Sequence, residues 1–523
     1  MSDRGRRPNI VLITGDQLRA DHLGFGGNAV VRTPHLDAIA ERGTVFDRGY
    51  VANPVCMPNR SSLLTARVPS SHGTRFNGIP LDRDADTFVR HLRDAGYRTG
   101  LVGKAHLQNI GHHPTVAAGY RRDVMGADAD ADVLDRRWPE GWDQYENLER
   151  HRAGWVEMPD DFYGFEHVEL AIDHADYCGG HYEHWLRERG FDPSRRGEKA
   201  ALEVSPAWRQ VYRPAMPEEL YPTAWVGERS SAFIRSAAGE PIFLHMSFPD
   251  PHHPFTPPGR YYDMYDPAEV ELPETFWADH SRSMPHVRQW SRKRGEQPTK
   301  MMPFAATEEQ YREALAKQYG AITFIDDVVG QIVAQLEASG ELDDTVFVIT
   351  SDHGDMFGDQ GVMLKMAMHY EGPIRVPYVF SGPGCGTGRS SAFASTLDIG
   401  PTLLELAGAE PMRGVHGLSQ AAVLGSADAS VRDEVYIEED EMFDAIGAGV
   451  PLRMRTLVTD EGRVSVYQGT QDGELFLHGS DPCETDNRWH DPEAAAQKSE
   501  LLLRLLQAQM AHSDICRVPS AMA

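Results

Sequence analysis

The chain has little cysteine, a deficit of positive charge and no long apolar run. Its five cysteines, Cys56, Cys178, Cys385, Cys483 and Cys516, are scattered among 523 residues and form no Cys-x-x-Cys pair. Such spacing suggests neither a disulfide framework nor a zinc site. Lys and Arg number 51 against 78 Asp and Glu, a formal charge of −27. That balance argues against nucleic-acid binding, which needs a basic face to displace phosphate counterions. It leaves room for a small anionic substrate, because a few local cations can dominate one pocket. No stretch approaches the roughly 20 apolar residues of a membrane helix. The apolar run Ile10–Ile13 near the start is too short for a signal-peptide core. The expectation is a cytoplasmic protein that engages neither nucleic acid nor membrane. No internal repeat is visible.

What is present is a strand-then-helix rhythm. Asn9–Thr14 (NIVLIT), Thr99–Val102, Pro241–Phe248 (PIFLHMSF), Thr345–Thr350 (TVFVIT) and Pro377–Ser381 read as buried strands. Thr33–Gly43, with an N-cap Thr, a Pro at the first helical position and a terminal Gly, reads as a helix. So do Thr87–Ala95, Glu309–Ala338 and Leu397–Ala407, and Ser61–Leu64 opens another. The fold class predicted is α/β: a large, mostly parallel sheet sandwiched by helices. Residues from about 110 to 230 are weakly periodic and rich in His, Asp, Trp and Tyr, and read as a long insertion beside the active-site edge. Its ADADAD run at Ala127–Asp132 reads as a solvated loop. From residue 426 onward, four short strands (Glu434–Ile437, Arg453–Val458, Val464–Tyr467, Glu474–Leu477) and a last helix, Pro492–Met510, read as a smaller antiparallel subdomain. The expected division is a catalytic domain over 1–425 and this subdomain over 426–523.

Polar residues follow the strands: Asp16, Lys104, His252 and Asp352. Ligands of open α/β sheets sit outside the carboxyl ends of the strands. A carboxylate at such an edge is costly unless paired, hydrogen-bonded or bound to a cation. Asp16 and Asp352, with Gln17 and His353 beside them, offer oxygen ligands and one imidazole. That set suits Ca2+, Mg2+ or Mn2+, and the imidazole favours Mn2+.

Five segments resemble one family, the type I sulfatases of the alkaline phosphatase superfamily. CMPNR at Cys56–Arg60 resembles the Cys-x-Pro-x-Arg signature, and GYRTGLVGKAHL at Gly96–Leu107 the signature that ends on Gly-Lys and a nearby His, spaced here as Gly103-Lys104-Ala105-His106. ITGDQLRADHLG, SDHGD and FLHGSDPCETDN resemble the metal motifs and the C-terminal signature. The pairing of Gln17 with His353, and Asn77 in RFNG, resembles the choline sulfatase and phosphonate monoester hydrolase branch. The intact Lys104-x-His106 favours sulfate over phosphonate.

The resemblance implies chemistry for each position. Cys56 would be oxidised by a formylglycine-generating enzyme to formylglycine. Its hydrate would attack a sulfate monoester (aryl, alkyl or choline sulfate) through a covalent sulfo-enzyme intermediate. One divalent ion, Ca2+ or Mn2+, would be held by Asp16, residue 56, Asp352 and His353. Arg60 would neutralise charge at the metal site. Lys104 and Lys365 would clamp the sulfuryl oxygens. His106 would remove a proton from the diol, and His252 would bind or protonate the leaving oxygen. Gln17 and Asn77 would bind substrate, Gln17 alternatively ligating the metal. The alternative activity is hydrolysis of phosphonate monoesters or phosphodiesters by the same nucleophile. Tyr163, Phe165, His167, His174, Tyr177, His181, His184 and Trp185 suit a cation–π cage for a quaternary ammonium or the packing of the insertion, and packing is favoured. The tail Asp514–Ala523 is a candidate cover for a neighbouring subunit's site in a homo-oligomer.

Overall fold

The computed structural model describes residues 7–513, apart from 112–140, 238, 298, 300 and 427. The run at 127–132 and the tail from 514 onward lie outside the described residues. The architecture is a nine-stranded mixed sheet with helices on both faces and a separate four-stranded antiparallel sheet.

The large sheet contains β1 (Asn9–Gly15), β2 (Gly43–Tyr50), β3 (Arg98–Gly103), β4 (His167–Ile172), β5 (Gly179–Gly180), β6 (Ile242–Phe248), β7 (Thr345–Ser351), β8 (Val379–Ser381) and β9 (Gly388–Ser395). Their order is β9-β2-β8-β7-β1-β6-β3-β4-β5. The five strands β7-β1-β6-β3-β4 are neighbours and all parallel. Their ends are in register: Gly15 pairs with Ser351 and with Phe248, and Gly103 with Ser247 and with Leu170. Five consecutive strand ends therefore deliver side chains to one edge. Only β5 and β8 run the other way.

Alternating residues of β1 serve opposite faces. Val11 and Ile13 pack with Ile322, Ile325 and Val329 of the helix Glu308–Ser339. Ile10 and Leu12 pack with Leu63 and Leu64 of the helix Cys56–Thr65 and with Leu403 and Leu404 of the helix Ile399–Ala407. Apolar side chains on both faces are what a parallel sheet covered by crossover helices requires.

Three sequence expectations are corrected here. Gly43 does not end the helix Pro34–Glu41; it opens β2, and Arg42 is the cap. The segment 110–230 is not only insertion, since it contributes β4 and β5 to the main sheet. The helix expected to open at Ser61 begins at Cys56. Pro58 stands in its first turn, where a missing N–H costs nothing because no intrahelical acceptor exists there.

The second sheet holds β10 (Glu434–Asp440), β11 (Arg453–Thr459), β12 (Gly462–Tyr467) and β13 (Gly473–Leu477), antiparallel throughout. The helix Ala495–Ala511 covers one face through Leu501, Leu505 and Ala508. The other face meets a strained loop of the large domain. In that loop Leu364, Met366 and Ala367 all adopt positive φ, at 73°, 108° and 58°. Residues with a Cβ hold such angles only where the surroundings over-determine them. Glu439 of β10, fully buried, accepts from Ala367 N–H at 2.7 Å and pairs with His369 Nε2 at 3.0 Å. Thr456 of β11 meets His369 Nδ1 at 2.7 Å. The small sheet thus fixes the loop that carries Lys365. Glu439→Ala should cost about 1–3 kcal/mol, the penalty for a buried group left unpaired. The expected result is a lower denaturation midpoint with amide exchange rising first at residues 364–369.

Candidate functional site

Cys56 is the first residue of its helix, which follows directly from the extended N-cap Val55. Every residue of this ten-residue helix is buried. Cys56 Sγ lies 3.0 Å from His353 Nε2 and 3.8 Å from Asp16 Oδ1. Asn77 Oδ1 accepts from Met57 N–H at 3.2 Å and so caps the helix start from outside. Asn59 ties the helix to β7, its Nδ2 donating to Asp352 O at 2.6 Å.

The end of β1 supplies Asp16, fully buried. Burial pushes its carboxyl pKa up, but the Lys104 and Arg60 cations outweigh this and hold it well below the usual range. Lys104 Nζ donates directly to Asp16 Oδ2, and Arg60 Nη2 stands 3.6 Å from the same oxygen. Burial likewise pushes Asp352 up, but Arg60, with His353 and Lys104, lowers it overall; Arg60 Nε donates to Oδ2 at 2.7 Å. Arg60 Nη1 donates to Lys104 O and Ser247 Oγ, both at 2.8 Å.

Lys104 reaches the site because Gly103 lets β3 graze β6. A Cβ on Gly103 would lie 1.8 Å from Ser247 O, and its φ is +115°. The Gly-Lys pair is thus a steric requirement followed by a charge. His106 also has positive φ, 52°. The carboxylate of Glu146 locks this turn by accepting from the N–H groups of His106, Leu107 and Gln108 at 2.6–2.9 Å. His106 is kept neutral by burial and by the Lys104 and Arg60 charges, and its Nδ1 is buried with no hydrogen-bond partner among the described residues.

The SDHGD motif after β7 divides its labour. Ser351 Oγ accepts from Leu18 N–H at 2.9 Å and joins the two central strand ends. His353 Nδ1 donates to Gly354 O at 2.8 Å, which turns the lone pair of Nε2 toward Cys56, Asp16 and Asp352. Burial and the Lys365 charge lower its pKa to about 4. Gly354 admits Gly372 O, 2.0 Å from where a Cβ would be. Asp355 Oδ1 accepts from Leu364 N–H at 2.9 Å and helps shape the Lys365 loop.

Lys365 Nζ donates to Gln17 Oε1 at 2.7 Å and to His252 Nε2 at 3.0 Å. The Gln17 amide group donates to Asp355 at 2.5 Å. Gln17 thus bridges Asp355 and Lys365, its Oε1 turned to the Lys365 ammonium. Burial and the His174 and Lys365 groups hold His252 neutral, with its Nδ1 on His253 O.

Asp16, Cys56, Asp352 and His353 present ligand atoms within 4.8 Å of one another, all buried. Two carboxylates and a neutral imidazole fit a hard or borderline divalent ion. Cys56 Sγ stands in for the oxygen that a modified residue 56 would offer.

Of the aromatics expected as a pocket wall, most pack. Tyr163 OH donates to Leu81 O at 2.7 Å, and Phe165 stacks on Phe243 with centroids 6.0 Å apart. His174 is different: it enters the site after β4, 2.7 Å from Lys104 Nζ. The sequence left it between a cation–π cage and packing, carried Asp355 inside SDHGD without a role, and gave no sign of Glu146 or Glu439. For His174 the available signal was its place just past a strand end.

The sulfatase family model matches residues 8–409, and the N-sulphoglucosamine sulphohydrolase C-terminal model matches residues 358–511. An arylsulfatase of Clostridium perfringens is 30% identical over 447 residues, covering 83% of this chain and 81% of its own. The multifunctional alkaline phosphatase superfamily protein PehA of Trinickia caryophylli is 28% identical, covering 97% and 96%. Among solved structures, a phosphonate monoester hydrolase from Silicibacter pomeroyi matches with a TM-score of 0.78 at 25% identity, over 97% of this chain and 96% of that one.

The donor set predicts stabilisation by Ca2+ or Mn2+, of about 2.7 kcal/mol at 100 times Kd. Asp352→Asn should abolish most of it. Asp16 and Asp352 are held below their ordinary pKa, and His353 is lowered to about 4. Lowered values mean that the folded site favours the proton-free, ligating forms, so protons compete only in acid. Thermal unfolding with and without the ion should show its effect persisting to about pH 5 and vanishing below about pH 4.

Proposed function

We propose, from the premise that the chain belongs to the sulfatase family and is a sulfuric ester hydrolase, that it cleaves sulfate monoesters of small aryl, alkyl or choline-type alcohols with formylglycine made from Cys56. One observation carries this reading: Cys56 opens its helix facing His353 and Asp16, with Arg60 and Lys104 bonded to the two carboxylates beside it. When present, the divalent ion and the hydrated aldehyde supply an acidic hydroxyl for attack on sulfur and a second hydroxyl for release of sulfate. Asp16, Asp352 and His353 would hold the ion. The helix N-terminus adds a positive field at position 56. Arg60 keeps Asp352 ionised and braces the end of β3. Lys104 and Lys365 set ammonium charge against the sulfuryl oxygens, where charge is redistributed in the reaction. His106 offers a neutral, unpaired nitrogen to a proton. His252 and Gln17 aim Lys365, whose ammonium donates to the leaving oxygen. Cys56, Pro58 and Arg60 are all buried, so a formylglycine-generating enzyme must meet this segment before the chain folds.

A second reading is hydrolysis of phosphonate monoesters or phosphodiesters. The likeness to the Silicibacter pomeroyi hydrolase favours it. Sulfate monoesters and phosphodiesters are both monoanions, and the same cations suit either. The intact Lys104 and His106 tip the choice toward sulfate. The test is kcat/KM on p-nitrophenyl sulfate against p-nitrophenyl phenylphosphonate. The sulfate should be preferred, and Cys56→Ala should lower its kcat/KM by at least about 1,000-fold. A phosphonate preference of about tenfold or more selects the second reading.

A further inference from the structure

His174 has no role in the reaction as set out above, yet it sits among the reacting groups. Only 13% of its side chain is exposed. The residues on either side of it, Asp173 and Ala175, have φ of 86° and 49°. Two departures into the left-handed region, one on each side of an extended His174 (φ −134°) at a strand end, mark a turn held in place for what it presents. Asp176, fully buried, braces the turn by accepting from Tyr212 OH at 2.6 Å and Gly197 N–H at 2.7 Å.

The tautomer of His174 follows from its neighbours. A Lys ammonium only donates, so Nε2, 2.7 Å from Lys104 Nζ, accepts. Nδ1 then carries the hydrogen and donates to Asp173 Oδ1 at 2.9 Å. The ring stacks on His252 with centroids 3.7 Å apart and planes at 19°. His252 in turn meets Lys365. One imidazole therefore touches Lys104 directly and reaches Lys365 only through His252. The ligand atoms of Asp16, Cys56, His174 and His252 also cluster within 4.8 Å. Lys104 Nζ bonds to both Asp16 and His174 and occupies that space, so the cluster is not a second cation site.

Resting on the proposed function, we propose that His174 is a positioning residue that holds the Lys104 ammonium against the sulfuryl oxygens and, by stacking, steadies the His252 ring that aims Lys365. Asp16 is the other anchor of Lys104, and a divalent ion would share its charge. His174 is the acceptor that remains.

The test is a double-mutant cycle on the formylglycine-containing, metal-loaded enzyme. His174→Ala should lower kcat/KM on the preferred ester by about 10- to 100-fold, as loss of a supporting partner does. Bound metal and melting temperature should stay unchanged. His174→Gln, which keeps an acceptor oxygen, should recover most of the loss. Lys104→Ala and Lys104→Ala/His174→Ala should agree within about threefold, because a residue acting through Lys104 has nothing to add without it. The same cycle is run on binding of inorganic sulfate by titration calorimetry, which needs no turnover. Losses that multiply in the double variant, or a His174→Ala enzyme with undiminished turnover and sulfate binding, overturn the inference. If the wild type hydrolyses neither ester, the proposed function fails, and the calorimetric cycle alone decides the inference.

Discussion

Asp16 and Asp352 end neighbouring parallel strands with almost no access to water. Two buried carboxylates so placed are tolerable only if cations surround them. Arg60 answers from the helix that Cys56 opens, and Lys104 from the end of β3. Each cation arrives on a separate element, so the charge balance also fixes how those elements dock. The place of residue 56 is a consequence: once Arg60 binds Asp352, Cys56 on the same helix faces Asp16 and His353.

Precision at the reacting edge is bought with local strain. Gln17, His106, Asp173, Ala175, Leu364, Met366 and Ala367 all have positive φ, and all adjoin or carry site groups. Buried acceptors hold these turns: Glu146 under His106, Asp355 and Glu439 around Lys365. The small antiparallel sheet is in this sense part of the site, although it contributes none of the proposed metal or sulfuryl contacts.

The sequence made the central strands legible because continuous β-branched runs are distinctive, and the polar residues after them followed. The segments proposed to hold the metal and the nucleophile stand out in the sequence as short motifs. Pro58 hid the true start of the Cys56 helix, because a proline in the first turn reads as a break. β2, with Asp47 and Arg48 in it, and β4, a strand of mixed character inside a His-rich segment, gave no clean period. Glu146 and Glu439 were invisible for another reason: they act by hydrogen bonds to backbone groups remote in sequence, and only the fold brings those together. Asp355 was visible in SDHGD, but not the loop it shapes. His174 and Gln17 were visible as residues but not as partners, since their meaning lies in Lys104 and Lys365.

The central claim is that the working nucleophile is not the encoded residue. Trypsin cleaves after Arg48 and Arg60, which isolates Gly49–Arg60 with Cys56 inside. Mass spectrometry of that peptide from catalytically active protein should show a mass about 18 Da below the cysteine form, the exchange of sulfur and two hydrogens for oxygen. An unmodified thiol at full occupancy in active enzyme would contradict the account.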